Sequence, residues 1–120
     1  MLTFIHSRLA LTIILFALIL GVWAAWNYFR RTGLTSSYWG ALIIGEMLML
    51  AQGLLGVLLV VSGEQPADWV HFLYGVLTAL GLPAVYIYTG GRATRIEAGL
   101  YALVSFFIFG LALRAIMTGG

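Results

Sequence analysis

The sequence predicts an all-α fold: a four-transmembrane-helix up-down bundle, an integral membrane protein. Three observations carry that expectation. Of the 120 residues, 62% are hydrophobic and only 8% are charged, whereas an ordinary soluble domain carries roughly 25% charged residues. The mean hydropathy is +1.05, and a soluble chain this short has too little interior to hide so much apolar surface. Four apolar runs, at about 4–28, 38–61, 67–88 and 96–117, each reach the roughly 20 residues that a helix needs to cross a bilayer. Short polar connectors separate the runs, and connectors of that length make consecutive helices antiparallel neighbours. Strands with open edges cannot satisfy their backbone in lipid, so the spans read as helices. The whole chain, 1–120, reads as a single membrane domain.

The first run enters with FIHSRLAL and leaves through YFRR. Its apolar stretch is longer than the core of a signal peptide and no small-x-small cleavage site follows, so it reads as a retained span. The connectors FRRTGLTSSY, SGEQPAD and TGGRATR are rich in Gly, Ser, Thr and Pro, the residues of turns. In the second run the Met47–Met49 pair reads as lipid-facing or packing bulk. Pro83 in the third run removes a backbone donor, which predicts a bend and a freed carbonyl near Ala79.

All six basic residues are arginines and the pI is near 9.3, but six scattered arginines make no basic patch, so nucleic acid is not an expected partner. They read as topology signals. Arg30 and Arg31 lie in the first connector and Arg92 and Arg95 in the third, while the second carries Glu64 and Asp68. The positive-inside rule puts the first and third connectors in the cytoplasm and both termini outside. A prokaryotic inner or plasma membrane is the expected location. Arg8 and Arg114 run against that pattern. Trp26, Tyr28, Tyr38 and Trp39 are expected to form an inner aromatic belt, and Trp69 an outer one. The absence of cysteine excludes disulfides, Cys-ligated zinc and Cys-bound iron–sulfur clusters. No nucleotide loop, catalytic triad or zincin motif occurs.

Polar groups within a bilayer are costly, so each invites a functional reading. His6 opens the first span and His71 lies about one turn into the third. At 1.5 Å of rise per residue their depths agree within roughly a turn. In a four-helix bundle the first and third helices face each other diagonally, which suits two imidazoles binding one haem iron. Ala10 and Gly75, four residues on from each histidine, lie on the ligand faces and leave clearance for a ring. Ala17, Gly21, Gly53 and Gly56 offer further gaps. Arg8 and Arg114 come out near the outer face, where they suit the haem propionates. Plainer readings stand beside these: histidines at the interface that bind nothing, small residues that pack helices closely, arginines that snorkel to headgroups. A metal held by both histidines and Glu64 or Asp68 is a further alternative. Glu46 lies about 12 Å along the second helix from its inner end, near mid-membrane, and should be protonated or hydrogen-bonded there. It suits a proton relay or a quinone contact, or an interhelical hydrogen bond to a Tyr, Thr or Ser, or a subunit contact. Gln52 is expected to bond a backbone carbonyl or a cofactor edge.

These residues also resemble a known family. FIHSR followed by a long apolar helix ending in YFRR is similar to the segment of the heme A synthase family that opens with a Glu-x-x-His-Arg motif. AQGLLGVLLVVSG resembles that family's Gln-x-x-Leu-Gly run, and WVHFLYGVLTAL resembles its second histidine helix. The resemblance covers Thr3–Leu80. It implies one four-helix half of a two-half protein, with His6 and His71 as the haem ligands near the outer surface. The sequence departs from the family at Thr3, where the catalytic Glu stands, and at Ser7, which separates His6 from Arg8. The resemblance therefore implies the fold and the ligands, not the synthase chemistry.

The expected function is a small membrane b-type cytochrome, or a haem-bearing subunit of a respiratory or photosynthetic electron-transfer complex. It would carry haem b, with quinone as a further expected partner, and have no independent catalytic activity. Two alternatives stand beside it: a structural accessory subunit without cofactor, and a haem-modifying assembly factor. Expected partners are the lipid bilayer and other membrane subunits or further copies of the chain.

Overall fold

The computed structural model describes residues 1–64 and 69–119. They form four helices, α1 (Leu2–Phe29), α2 (Ser36–Val61), α3 (Val70–Thr89) and α4 (Arg95–Gly119), and no strand among the described residues. Each helix is long and apolar enough to cross a membrane. The chain is thus an all-α bundle built for the bilayer, and its 48 Å length exceeds the roughly 30 Å of a hydrocarbon core. Asp68, and Ala67 at the expected start of the third span, lie outside the described residues.

The helices run antiparallel in sequence. α1 packs on α2 and α4, and α3 packs on α2 and α4. The α1–α4 interface is the most extensive and the α2–α3 interface the thinnest. The pairs α1/α3 and α2/α4 therefore face each other across the diagonals. The first and third connectors lie together at one end, called here the arginine end, where Leu34 N donates to Ala93 O at 2.8 Å. Met1, the last turns of α4, the end of α2 and the start of α3 lie at the other, the histidine end.

Local chemistry fixes the arginine end. The last turn of α1 closes as Thr32 N donates to Asn27 O and Arg31 N to Tyr28 O, with Arg31 in the left-handed region at φ 60°. This is the double hydrogen bond of a helix stop that usually uses Gly. Arg95 Nε donates to Tyr28 O at 2.8 Å and its guanidinium lies 4.1 Å from the Tyr28 ring centre. A cation at the carbonyl end of α1 suits the helix dipole. α4 opens with a capping box: Thr94 N donates to Glu97 Oε1 at 2.8 Å, the Thr94 hydroxyl also bonds Glu97, and Arg92 pairs with the same carboxylate at 3.4 Å. The Thr-x-x-Glu spacing carries the signal for this cap in the sequence.

Small residues set the helix spacing. A Cβ at Gly21 would lie 2.8 Å from Phe106, one at Gly81 2.9 Å from Ile108, and one at Gly99 2.9 Å from Tyr28. A Cβ at Gly45 would press on Phe16 and Leu20 at 3.1 and 3.2 Å. Gly21 is thus filled by an aromatic ring of α4 and offers no clearance for a cofactor.

The aromatic belt needs correction. Trp26 is exposed, but Tyr38 is fully buried, and its hydroxyl donates to Leu20 O at 2.9 Å. Its ring packs edge-on against Trp23 and Tyr101, at 5.1 and 6.4 Å between centres. Trp39 meets Tyr86 and Tyr101 at 5.8 and 5.6 Å. These rings join all four helices in a core cluster toward the arginine end. Position in the first turn of a helix does not separate a belt residue from a core residue; the face does, and Tyr38 heads the Leu42, Gly45, Met49 stripe buried against α1. The Met pair splits for the same reason, Met47 being 66% exposed and Met49 4%.

Candidate functional site

His6 and His71 meet at the histidine end. Their ring centres are 6.3 Å apart and their planes cross at 66°. This contact bridges the α1/α3 diagonal, just as Tyr38 and Tyr101 bridge the α2/α4 diagonal at the opposite end. Both histidines are half-buried.

The His71 ring is held from α4, and the His6 backbone from α2. His71 Nδ1 lies 2.8 Å from Ala115 O on α4 and 3.4 Å from the Thr118 hydroxyl. Thr118 itself donates to Arg114 O and Ala115 O at 3.1 and 3.2 Å. A carbonyl can only accept, so the Ala115 contact requires the proton on Nδ1 and leaves Nε2 as a free lone pair. Gly119 lies against the same ring, since a Cβ there would sit 2.8 Å from Cε1. On the other side, Gln52 Nε2 on α2 donates to the carbonyl of His6 at 2.8 Å. A Cβ at Gly56 would lie 3.5 Å from His6 Cε1. His6 Nδ1 and Gln52 Oε1 are both buried without hydrogen-bond partners.

The donor set fits a metal centre between two imidazoles. Two metal–nitrogen bonds of about 2.0–2.1 Å, plus the ring radii, put the centres of two opposed imidazoles roughly 6 Å apart. The observed 6.3 Å agrees. A ligating histidine normally gives its other N–H to a carbonyl or carboxylate, and His71 does so to Ala115 O. The two imidazoles thus stand at the separation that one shared metal ion requires. Around them, a Cβ at Gly75 or Gly53 would meet no atom within 4 Å, and Ala10 is half-buried. Gly53 and Gly75 are both exposed, so the space beside them is open surface.

Arg8 and Arg114 lie on exposed surface near the same end. The Arg8 guanidinium rests 5.2 Å from the Phe4 ring centre, and neither arginine forms an ion pair among the described residues. Both are available to an anionic group. Among the described residues no cluster of three His, Asp or Glu forms, so Glu64 does not complete a metal site with the two histidines. Asp68, the other carboxylate considered, lies outside the described residues.

Glu46 stands apart from the histidines. Its Oε1 is buried with no hydrogen-bond partner, so the expected interhelical bond to a Tyr, Thr or Ser is not made at that oxygen. Glu46 sits beside the buried α2 stripe, one turn from Leu42 and from Met49, and is half-buried. Gln52, by contrast, takes a backbone carbonyl, that of His6. Two apolar grooves of about 490 and 520 Å³ line α1 and the α1–α4 seam, around Trp26 and Arg95 respectively. Neither reaches the histidines.

Sequence reasoning did not reach the α4 contributions. Ala115 acts through its carbonyl, which has no side-chain signal, and Thr118 acts beside it from the next turn. No described family, curated protein or solved structure matches the chain.

Proposed function

We propose that the chain is a small membrane b-type cytochrome, or the haem-bearing subunit of a larger electron-transfer complex, with His6 and His71 as axial ligands. One observation carries this: two histidines from diagonal helices with ring centres 6.3 Å apart. Further support comes from His71, whose Nδ1 contact with Ala115 O leaves Nε2 free, and from the resemblance of Thr3–Leu80 to one half of the heme A synthase family. When bound, haem b would supply a one-electron couple between ferrous and ferric iron. The protein's own residues do the rest. His6 and His71 would both hold the iron, which would leave it to carry electrons rather than bind a substrate. The Ala115 carbonyl orients the His71 ring. Arg8 and Arg114 are the exposed cations nearest the histidine end and would pair with the propionates. The apolar helices keep the surrounding dielectric low, which tunes the potential. Quinol as donor or acceptor, company of other membrane subunits or further copies, and outward-facing termini in a prokaryotic plasma membrane belong to the same proposal.

The test is a reduced-minus-oxidised optical spectrum of protein purified from cells with intact haem supply. A b-type Soret and alpha band is expected, lost in His6→Ala and in His71→Ala. Colourless wild-type protein would contradict it.

A second reading has its own support. The bonds from His71 to Ala115 O and from Gln52 to His6 O tie α3 to α4 and α2 to α1 through protein atoms alone. A structural accessory subunit would use them as bolts. It predicts a colourless protein that co-purifies with a larger complex and tolerates both alanine substitutions. Action on haem as an assembly factor finds less support, because Thr3 stands where the resembling enzymes carry a carboxylate.

A further inference from the structure

We infer that Gln52 is a positioning residue for His6: its amide clamps the backbone carbonyl with one end and the ring Nδ1–H with the other. This rests on the haem-ligand reading given above. Gln52 Nε2 donates to His6 O at 2.8 Å. That contact fixes the amide's orientation, because the flipped form would set two acceptor oxygens against each other. Gln52 Oε1 is then left as an acceptor, buried and without a partner, and His6 Nδ1 is buried and without a partner on the residue it already grips.

The two orphaned atoms are complementary. If His6 Nε2 faces a metal, its proton must sit on Nδ1, which becomes a donor. A buried donor left unpaired is costly. His71 has met the same need with Ala115 O on α4. On the His6 side no such bond is formed in the structure: the Gln52 amide oxygen is the buried acceptor on the residue that already bonds the His6 backbone, and Gly56 leaves space beside the ring for the small rotation that would bring the two together, since even a Cβ there would stand 3.5 Å from Cε1. Each ligand would thereby take its second hydrogen bond from the adjacent helix, α2 for His6 and α4 for His71.

A ring that donates from Nδ1 is a stronger electron donor to iron, which favours the ferric state. The test compares intact haem-loaded wild type with Gln52→Leu and Gln52→Glu, by midpoint potential and by ferric electron paramagnetic resonance. Gln52→Leu should raise the potential by an amount equal to about a tenfold change in the ferric–ferrous equilibrium, and should shift the low-spin g-values. Gln52→Glu, which when protonated keeps a donor for His6 O and an acceptor for Nδ1 at the same length, should leave the potential at or below the wild-type value. Loss of haem in Gln52→Leu with retention in Gln52→Glu gives the same support. If both variants keep haem with unchanged potential and g-values, or both lose it while remaining helical, Gln52 is only a bolt to the backbone and the inference fails. If wild type binds no haem, the haem reading fails and takes this inference with it.

Discussion

His71 Nδ1 lies 2.8 Å from the carbonyl oxygen of Ala115, forty-four residues along the chain. The contact joins the start of α3 to the last turns of α4 and decides which nitrogen of His71 is free. Replacing His71 with Phe keeps bulk at the site but removes both the bond and the ligand. Stability should fall by about 0.6–1 kcal/mol, the usual worth of one such bond in a membrane helix pair. Thermal unfolding in detergent measures that loss, and the haem band should vanish in the same sample.

Arg8 and Arg114 supply a charge test. If haem binds as proposed, with its propionates paired to these guanidiniums, Arg8→Gln and Arg114→Gln would each remove a positive charge that favours the reduced haem. The midpoint potential should drop by tens of millivolts, where about 59 mV is tenfold for one electron. The shift should shrink in high salt, because both side chains are exposed and screening acts on exposed charges. An unchanged potential in both variants would mean the arginines serve headgroups only.

Tyr38→Phe tests the opposite end. The Tyr38 hydroxyl donates to Leu20 O at 2.9 Å in a fully buried cluster. Its removal should cost about 1 kcal/mol in thermal unfolding. Haem content should not change, because the cluster lies at the end of the bundle away from His6 and His71.

Much of the fold is legible in the sequence because its causes are local. Apolar runs of spanning length force helices in lipid, and short connectors force antiparallel neighbours. The diagonal meeting of His6 and His71 follows from topology and depth together, so it too was readable. Other features depend on which way a face turns, which a weakly amphipathic membrane helix does not advertise. Tyr38 looks like a belt residue and is core. Gly21 looks like cofactor clearance and is filled by Phe106. Glu46 has no partner at Oε1, although its position invited one. Glu97 is a different case, since the Thr94–Glu97 spacing states the cap openly.

Gly33 is a separate point of failure. A Cβ on Gly33 would run into the carbonyl of Ala93, at the place where Leu34 N bonds that carbonyl. Backbone cannot swing aside as a side-chain tip can. Gly33→Ala should therefore destabilise by about 1–3 kcal/mol, read by thermal unfolding. Gly40→Ala is the control. Its Cβ would meet nothing within 4 Å and the change should be neutral or slightly stabilising, since Ala is the better helix former.

The central claim is that His6 and His71 bind one iron from opposite faces. Low-temperature electron paramagnetic resonance of the oxidised, purified protein tests it most directly. Two axial imidazoles predict a wholly low-spin ferric signal that turns high-spin or disappears in His6→Ala and in His71→Ala. A high-spin signal in wild type, or no iron signal in protein made with full haem supply, would contradict it.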